Sequence, residues 1–456
     1  MTLATRSEMD VKRSRTVVWV VTLSTIGLIF DGYDLVVFGA VVSGFLKDPT
    51  QIGEVTPAIA GTLGSYALIG VLVGALLAGS VGDIIGRRRV MLIAYAWFSI
   101  GMALTALTSS ITMFGLMRFV TGLGVGALVA TTGALVAEIA PAGKKNFCTA
   151  LTYSGVPIGS LLSALLAILL LDSIGWEGMF FIGAIPIFTL LPLAYFKLPE
   201  SVSWLVARGK LDKARAVSER TGVPMPESLT VEQKKAAAAE RVGYAGLFSR
   251  GFWVATLLLG FVSATGLILV YSLNTWLPVM MEASGFNAKG SLSFLLVLNG
   301  GAIVGALVGS RFADRLGPRP VVASCFLIGA SAIALLTVPL PIALLLIFVA
   351  IVGLGTSGTQ TLIFGFVANY YPTRMRGAGV AWAAGFGRLG GVAGPILGGL
   401  LIGAGLPVNT IFYVLAGIAL VGVVLTLLVP RVKGQKEIHT TPIEPTVAVG
   451  SAPDQA

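Results

Sequence analysis

Charged residues are scarce in this sequence. Asp, Glu, Lys and Arg make up 11% of the 456 residues, whereas about a quarter of the residues in an ordinary soluble domain are charged. This scarcity excludes an ordinary soluble domain. Hydrophobic residues reach 55%, and apolar runs of about 20 residues or more, long enough for a helix to cross about 30 Å of hydrocarbon, recur throughout. The composition therefore predicts an all-α membrane protein with many transmembrane helices.

Cysteine and histidine are nearly absent. The two cysteines, Cys148 and Cys325, lie in or beside different apolar segments, so a disulfide framework is not expected. The single histidine, His439, lies in the C-terminal tail, which excludes a histidine proton relay inside the membrane. A phosphate-binding loop with Gly-Lys followed by Ser or Thr is also missing, so ATP is not expected as the driving force. We expect no cofactor and no metal.

The positive charges follow the loops. Of the 31 Lys and Arg residues, 27 fall in segments on the same side of the predicted membrane as the N-terminus, whereas the loops on the other side contain only Lys47 and Lys289. Because cytoplasmic loops carry the excess of Lys and Arg, both termini are predicted to be cytoplasmic, in a bacterial-type cytoplasmic membrane. The net charge of +10 is thus a topology signal, and no nucleic-acid partner is expected.

Twelve apolar segments are separated by short polar links, with one longer stretch in the middle of the chain. The predicted spans are 17–43, 57–80, 90–109, 112–139, 147–171, 177–197, 252–281, 290–311, 320–338, 341–369, 377–403 and 408–429. The predicted domains are a cytoplasmic N-tail 1–16, an N-terminal six-helix half 17–197, a central cytoplasmic loop 198–250 with short amphipathic helices, a C-terminal six-helix half 251–430 and a disordered cytoplasmic C-tail 431–456.

The two halves are related by an internal repeat. Sliding the chain against itself by 231 residues superimposes three separated features, which is the signature of a duplicated unit. Gly82–Arg88 meets Ala313–Arg319, Gly122–Gly124 meets Gly353–Gly355, and Glu138–Pro141 meets Asn369–Pro372. Two pseudo-symmetric six-helix halves are typical of alternating-access transporters, whose substrate site lies near the bilayer midplane at the interface of the halves.

Two acids and two arginines lie deep inside predicted spans. A charge at the centre of a membrane helix costs about 2.5–3.5 kcal/mol, so a functional role is the first hypothesis for each of these four residues. Asp31 and Asp34 are three residues apart and share a helix face; they are the leading proton-coupling candidates, with pairing to a structural arginine as the alternative. Arg118 and Arg388 have no counterpart at the repeat offset. A guanidinium binds carboxylates bidentately and stacks on aromatic rings, so both are substrate-binding candidates, and Arg118 is alternatively the partner of the two acids.

Other candidates rest on weaker signals. Glu138, near the inner end of span four, is a third proton-coupling candidate, and a structural network with Asp83 and nearby arginines is its alternative. Further substrate-binding candidates are neutral polar or aromatic side chains inside the spans. They are Asn274, Asn299, Gln360, Tyr271 and Trp382. For the aromatic members, ordinary packing is the alternative.

The loop between spans two and three contains a motif that resembles the signature loop of the major facilitator superfamily. It reads Gly79-x-x-x-Asp83-x-x-Gly86-Arg87-Arg88, and a degraded copy of it surrounds Asp314. The resemblance implies that this loop latches the outward-facing state and does not bind substrate. Arg376, in the loop before span eleven, is assigned to the same gating set.

Three further pieces resemble the aromatic acid:proton symporter family of that superfamily. They are Asp31-Gly32-Tyr33-Asp34 in helix one, Trp276-Leu277-Pro278 in helix seven and Tyr371-Pro372-Thr373-Arg374-x-Arg376-Gly377 after helix ten. The resemblance covers essentially all twelve spans and implies the major facilitator fold. It also implies that transport requires Asp31, Asp34, Arg118, Glu138, Arg376 and Arg388.

The resemblance implies a proton-coupled symporter, not an enzyme, that imports an aromatic carboxylate of the benzoate or hydroxybenzoate class by alternating access. Its partners are then a small aromatic acid, protons and the lipid bilayer, with the monomer as the working unit. One alternative is a symporter for another organic acid or metabolite, because a neighbouring family shares an acidic-x-Tyr-Asp pattern in helix one. A drug/proton antiporter is disfavoured, because span five reads Gly155-Val156-Pro157-Ile158-Gly159 and lacks the antiporter motif. A membrane receptor or sensor is the most distant alternative.

Overall fold

The computed structural model describes residues 3–225 and 243–430, and within these ranges every regular element is a helix. The helices are α1 (Leu3–Lys47), α2 (Pro57–Ile85), α3 (Arg87–Ala106), α4 (Ile111–Ile139), α5 (Lys145–Tyr153), α6 (Gly155–Ala184), α7 (Leu190–Lys197), α8 (Val202–Ala207), α9 (Leu211–Thr221), α10 (Gly243–Leu247), α11 (Trp253–Ala283), α12 (Ala288–Leu316), α13 (Pro318–Leu335), α14 (Ile342–Gly353), α15 (Thr359–Tyr370), α16 (Thr373–Gly403) and α17 (Val408–Leu428). A π-helical turn, Leu354–Gly358, joins α14 to α15.

Eleven segments of the described chain are long and apolar enough to cross a membrane. One of them, Phe147–Lys197, has 51 residues, more than twice the length of about 20 that a single crossing needs. It breaks at Gly175, where φ is 69° and ψ is −178°, a backbone conformation that glycine adopts readily. This segment therefore contains two crossings, which brings the total to the predicted twelve. An even number of crossings leaves both ends of the described chain on one side of the membrane, here called the terminal side.

The first helix is longer than the first predicted span. α1 begins at Leu3, so the described part of the predicted tail 1–16 continues that helix, and Thr16 Oγ1 donates to the Thr221 carbonyl at the end of α9 at 3.0 Å. The central loop contains α8, α9 and α10, while its residues 226–242 lie outside the described part of the chain. The predicted C-tail, 431–456, also lies outside the described residues.

Glycine allows neighbouring helices to pack at backbone distance. A Cβ atom on Gly70 or Gly74 of α2 would lie 2.2 or 2.1 Å from a carbonyl oxygen of α4. Reciprocally, a Cβ atom on Gly122 or Gly126 of α4 would lie 2.1 Å from a carbonyl oxygen of α2. Lipid provides no hydrophobic drive between helices, so close van der Waals contact through small residues holds them together. This packing accounts for part of the high glycine content, 58 residues.

The two halves meet closely on the side opposite the terminal side, here called the far side. Ser65 Oγ of α2 donates to the Val392 carbonyl of α16 at 2.7 Å. A Cβ atom on Gly39 of α1 would lie 2.0 Å from the Asn274 carbonyl oxygen of α11, so these backbones also touch. The interface between the halves is therefore closed toward the far side.

Candidate functional site

A cavity of about 200 Å³ lies between the two halves. Its lining comes from α1, α2, α4, α5, α6, α11, α15 and α16. The lining residues are Asp31, Asp34, Leu35, Phe38, Gly64, Ala67, Leu68, Val71, Arg118, Val125, Val129, Tyr153, Val156, Leu267, Tyr271, Thr275, Phe364, Ala384, Arg388 and Pro395. The four charged residues that the sequence places deep inside the spans are thus brought together in one cavity.

Asp34 and Arg118 form an ion pair at the wall of this cavity. Their side chains are 6% and 3% exposed, so neither charge is solvated by bulk water. The Arg118 guanidinium carbon lies 5.6 Å from the ring centroids of both Phe38 and Phe180, which places the cation between two aromatic faces. Removing one partner of a buried ion pair leaves an uncompensated charge and costs about 3–5 kcal/mol. The pair is therefore held together unless the charge on one member changes.

Arg388 is in a different electrostatic situation from Arg118. It lines the same cavity and acts electrostatically on Asp31, yet within the described ranges no carboxylate oxygen lies within 4.0 Å of its guanidinium nitrogens. A guanidinium has five donors arranged for planar, bidentate recognition of a carboxylate. The cavity thus presents one arginine whose charge is matched by an ion pair and one that can accept an anionic ligand.

Four of the predicted substrate-binding residues do not line this cavity. Asn299 Nδ2 donates to Asn274 Oδ1 at 3.0 Å, which ties α12 to α11. Gln360 Nε2 donates to Ser263 Oγ at 3.1 Å. Trp382 donates its indole N–H to the Thr256 carbonyl at 2.8 Å and stacks on Phe386 with the ring centroids 5.2 Å apart. These side chains connect helices within the C-terminal half.

Several cavity residues were missed at the sequence level. Phe38, Tyr153, Thr275 and Phe364 line the cavity beside the predicted Tyr271. Two of them carried a usable signal, because Phe38 lies four residues after Asp34 and Thr275 four residues after Tyr271, and residues at that spacing share a helix face. Tyr153 and Phe364 carried none, because only the packing of α5 and α15 brings them to the cavity.

Comparison with known proteins identifies the family. Residues 19–441 match the sugar (and other) transporter family. The chain belongs to this family. It is 33% identical to the benzoate transport protein of Acinetobacter baylyi over 90% of this chain and 89% of that protein. It is also 33% identical to the gentisate transporter of Corynebacterium glutamicum over 91% of this chain and 88% of that protein.

Solved structures agree on the fold of this transporter. The xylose transporter XylE from E. coli, in a partially occluded inward open conformation, superimposes with a TM-score of 0.72 over 92% of this chain and 99% of that one, at 18% identity. This similarity confirms the predicted major facilitator fold with its two six-helix halves. The family and the matched relatives are transporters, in agreement with the expectation that the chain is not an enzyme.

On the terminal side of the transporter, Glu138 belongs to a polar cluster away from the cavity. Arg87 bridges Asp83 at 2.8 Å and approaches Glu138 at 3.7 Å, and the Ser201 hydroxyl donates to Glu138. This cluster joins the end of α2 and the start of α3, which meet at Gly86, to the end of α4 and the start of α8. Its geometry is that of a structural network, the alternative considered for Glu138.

The same junction of α2 and α3 in the transporter is attached to the segment that follows α7. Glu200 Oε1 accepts the backbone N–H groups of Arg88 and Ser201, each at 3.0 Å. Trp204 donates its indole N–H to the Asp83 carbonyl at 2.8 Å. Gly86, with φ of 102°, makes the turn between α2 and α3, a conformation that favours glycine. The predicted gating loop is thus clamped to α8.

The remaining gating candidates lie at exposed or open positions. A Cβ atom on Gly79 would meet nothing within 4 Å, so no close packing in this conformation requires a glycine there. Asp314 and Arg376 are exposed on the terminal side. Arg376 lies in the first turn of α16 and not in a loop as predicted, because that helix begins at Thr373, before the predicted span 377–403. Gly317 has φ of 87° at the turn between α12 and α13, at the repeat position of Gly86. The turn geometry is therefore common to the two copies. The ion pairs and hydrogen bonds described above surround the first copy, at Gly86.

Ionic contacts between the halves reinforce the closure of the far side. Lys47 at the end of α1 pairs with Glu282 at the end of α11, and Ser43 Oγ donates to the same Glu282 oxygen at 2.5 Å. Lys289 at the start of α12 pairs with Asp172 of α6 at 2.9 Å. The Glu282 side chain is 12% exposed, whereas Asp172 is 69% exposed. Exposed ion pairs contribute little to stability. We therefore expect the Glu282 contacts, here called the far-side latch, to stabilise the closed far side more than the Lys289–Asp172 pair does.

Glu282→Gln is expected to weaken far-side closure. Loss of the charge that pairs with Lys47 should shift the equilibrium toward the state open on the far side by about 1 kcal/mol, or roughly fivefold. The measurement is the rate at which a membrane-impermeant maleimide added on the far side labels a cysteine introduced at Val71, a cavity position. Glu177→Gln, an exposed residue on the same side, is the matched control. An equal labelling rate in both variants would contradict the latch.

Proposed function

We propose that this transporter is a proton-coupled symporter that imports an aromatic carboxylate of the benzoate or hydroxybenzoate class by alternating access. The observation that carries the proposal is the Arg388 guanidinium, which lines a cavity between the halves without an ion-pair partner among the described residues. An anionic ligand would supply that partner. The names of the relatives, which include benzoate, gentisate and gallate transporters, support an aromatic acid as the anion.

The size and lining of the cavity support a single-ring ligand. Its volume of about 200 Å³ is below the range of about 300–1,000 Å³ that drug-sized ligands occupy. Phe38, Tyr153, Tyr271 and Phe364 supply aromatic surface around it, and aromatic pairs in offset or edge contact gain about 0.5–1.5 kcal/mol beyond the area that they bury. A ring held by these side chains would direct its carboxylate to Arg388.

Asp31 and Asp34 are the proposed proton sites. A proton on Asp34 removes the charge that holds Arg118, so the buried ion pair at the cavity wall opens and the adjoining helices α1 and α4 are free to shift. This couples the charge state of a cavity carboxyl to the arrangement of the N-terminal half. We assign Glu138 to the cluster with Arg87 and Ser201, where it would hold the gating loop on the terminal side.

Proton coupling also solves an electrical problem. An anion that enters a cell against an inside-negative potential meets a cost of about 2.3 kcal/mol per 100 mV. One co-transported proton cancels this cost, and further protons add driving force. A cycle that binds a proton and a carboxylate in the same cavity is therefore expected to accumulate the acid.

The terminal side is the proposed cytoplasmic side, because the segments on this side contain 27 of the 31 Lys and Arg residues and cytoplasmic loops carry such an excess. The proposed location is the cytoplasmic membrane of a bacterium, with both termini inside. The proposed boundaries of the two halves are 17–197 and 251–430. The proposed working unit is the monomer, since the cavity is enclosed by helices of one chain.

Purified protein reconstituted into liposomes tests this function. We expect that an imposed inward proton gradient drives accumulation of radiolabelled benzoate or 4-hydroxybenzoate, and that a protonophore abolishes it. Protein-free liposomes measure passive entry of the uncharged acid. Accumulation of only non-aromatic acids would replace the substrate class by another organic acid. If no acid were accumulated and a preloaded drug were instead exported, the symporter assignment would be wrong.

A further inference from the structure

The polar lining of α11 contains two hydroxyl groups that no bond within the described chain accounts for. Tyr271 and Thr275 both line the cavity, and neither hydroxyl has a hydrogen-bond partner among the described residues. The remaining serine, threonine and asparagine side chains of α11 are all hydrogen-bonded. They are Thr256, Ser263, Thr265, Ser272 and Asn274. The exceptions on this helix are thus the two that reach the cavity.

Thr275 is the stronger indication of a ligand contact, because the residue is only 5% exposed. A threonine inside a helix commonly donates to the carbonyl one turn earlier, as Thr265 does to Phe261 at 2.8 Å. Thr275 has no such bond in the described structure. A hydroxyl on a cavity wall that has no protein partner is expected to bind water or a ligand group. The cavity is the space from which that partner would come.

The other polar groups of the cavity have different roles. Asp34 and Arg118 pair with each other, and Tyr153 donates its hydroxyl to the Val129 carbonyl at 3.2 Å. Arg388 is the site for the substrate carboxylate under the proposed function, and Asp31 acts electrostatically on it. The hydroxyls available for an uncharged polar group of the substrate are therefore those of Tyr271 and Thr275.

Tyr271 and Thr275 form one patch of the cavity wall, because both lie on the face of α11 that lines it. Residues four apart lie on the same face of a helix, one turn from each other, and α11 belongs to the C-terminal half with Arg388 on α16. Tyr271 and Arg388 line the same cavity. A ring whose carboxylate meets Arg388 would thus lie beside the patch. A phenolic hydroxyl, which both donates and accepts, matches two hydroxyl partners.

We propose that Tyr271 Oη and Thr275 Oγ1 form a subsite for a ring hydroxyl of the substrate, so that the transporter selects hydroxylated aromatic acids over benzoate. This proposal rests on the proposed function and adds the residues that set ring specificity. A site built to hydrogen-bond a substrate hydroxyl discriminates strongly against the analogue that lacks it, because the polar groups of the site are then left unpaired.

The test is a specificity ratio measured within each variant. Proteoliposomes under an inward proton gradient are given labelled benzoate and, separately, 2-, 3- and 4-hydroxybenzoate, and the kcat/KM of the best hydroxybenzoate is divided by that of benzoate. We expect this ratio to exceed one in the wild type. We also expect Thr275→Val and Tyr271→Phe each to lower it by roughly fivefold, the worth of one hydrogen bond between neutral groups. A ratio is independent of how much active protein each preparation contains.

Thr265→Val is the matched control, since it makes the same substitution on the same helix at a residue that does not line the cavity. Its ratio should equal that of the wild type. A lowered ratio in either cavity variant supports the subsite and identifies the residue that forms it. Wild-type transport of aromatic acids with ratios unchanged in both variants overturns the subsite alone. Absence of any aromatic-acid transport by the wild type overturns the proposed function and the subsite with it.

Discussion

Asp34→Asn is expected to abolish proton-driven accumulation of substrate while leaving the protein inserted in the membrane. The substitution removes the only group of Asp34 that can carry a proton and keeps nearly the same shape. It also leaves the Arg118 guanidinium, whose side chain is 3% exposed, without its ion-pair partner. The neutral side chain imitates the protonated state permanently, so the proton gradient no longer drives a change at this position.

Two assays separate coupling from folding for this variant. Accumulation of labelled benzoate under an inward proton gradient should fall to the level of protein-free liposomes. Exchange of labelled for unlabelled benzoate at equal pH should persist, because exchange requires no net proton movement. Accumulation at the wild-type level would remove Asp34 from the coupling role, and loss of both activities together would indicate a structural one.

Asp48→Asn is the matched control for the Asp34 substitution. Asp48 lies in the loop between α1 and α2, where the Thr50 hydroxyl and backbone N–H donate to Oδ1 at 2.6 and 2.9 Å. These hydrogen bonds stabilise the ionised form and hold the pKa of Asp48 below its ordinary value. Asp48 therefore stays ionised near neutral pH and carries no proton in the cycle, so its replacement should leave accumulation unchanged.

A second variant addresses the cost of the unpaired Arg118. Combining Asp34→Asn with Arg118→Gln removes both charges, so the stability lost through an uncompensated buried charge should be recovered. We expect the double variant to be as thermally stable as the wild type and still unable to accumulate substrate. If accumulation returned with stability, the ion pair would be a structural element and not the proton-coupling device.

Arg388→Gln is expected to produce the largest loss of substrate affinity. Truncating one partner of a desolvated, hydrogen-bonded charge pair costs about 2–5 kcal/mol, so the Kd for benzoate should rise roughly thirtyfold or more. Arg388→Lys keeps the charge but loses the planar, two-pronged geometry, and it should lie between the wild type and the glutamine variant. Equilibrium binding to detergent-purified protein at fixed pH measures these values without the need for a gradient.

An uncharged analogue makes the Arg388 test specific. Benzamide has the same ring as benzoate but no carboxylate, so its affinity should change much less than that of benzoate in the glutamine variant. Arg311→Gln, at an exposed position on the terminal side, controls for the loss of one positive charge from the protein. If benzoate bound the Arg388 variant as tightly as the wild type, Arg388 would not be the carboxylate site.

The sequence by itself determined the twelve crossings, the two halves and the deep charged residues. Lipid forces each crossing to be a helix of about 20 apolar residues. The sequence therefore predicts two spans within Phe147–Lys197, and the structure breaks this segment at Gly175. A charge inside such a helix is costly, and for this reason Asp31, Asp34, Arg118 and Arg388 stood out without any structural information. All four line one cavity.

Only the tertiary structure decided which of these groups are partners. The sequence offered two acids and two arginines, and the packing of α1 against α4 pairs Asp34 with Arg118 while Arg388 is left to face the cavity. The roles of neutral polar side chains were harder to predict from the sequence. A membrane helix tolerates an Asn or Gln that bonds to a neighbouring helix as well as one that lines a cavity. Asn274 and Asn299 bond to each other, whereas Thr275, one residue further along α11, lines the cavity. Which face of a helix meets the cavity depends on how the helix is rotated against the other half, and that rotation is set by contacts distant in sequence.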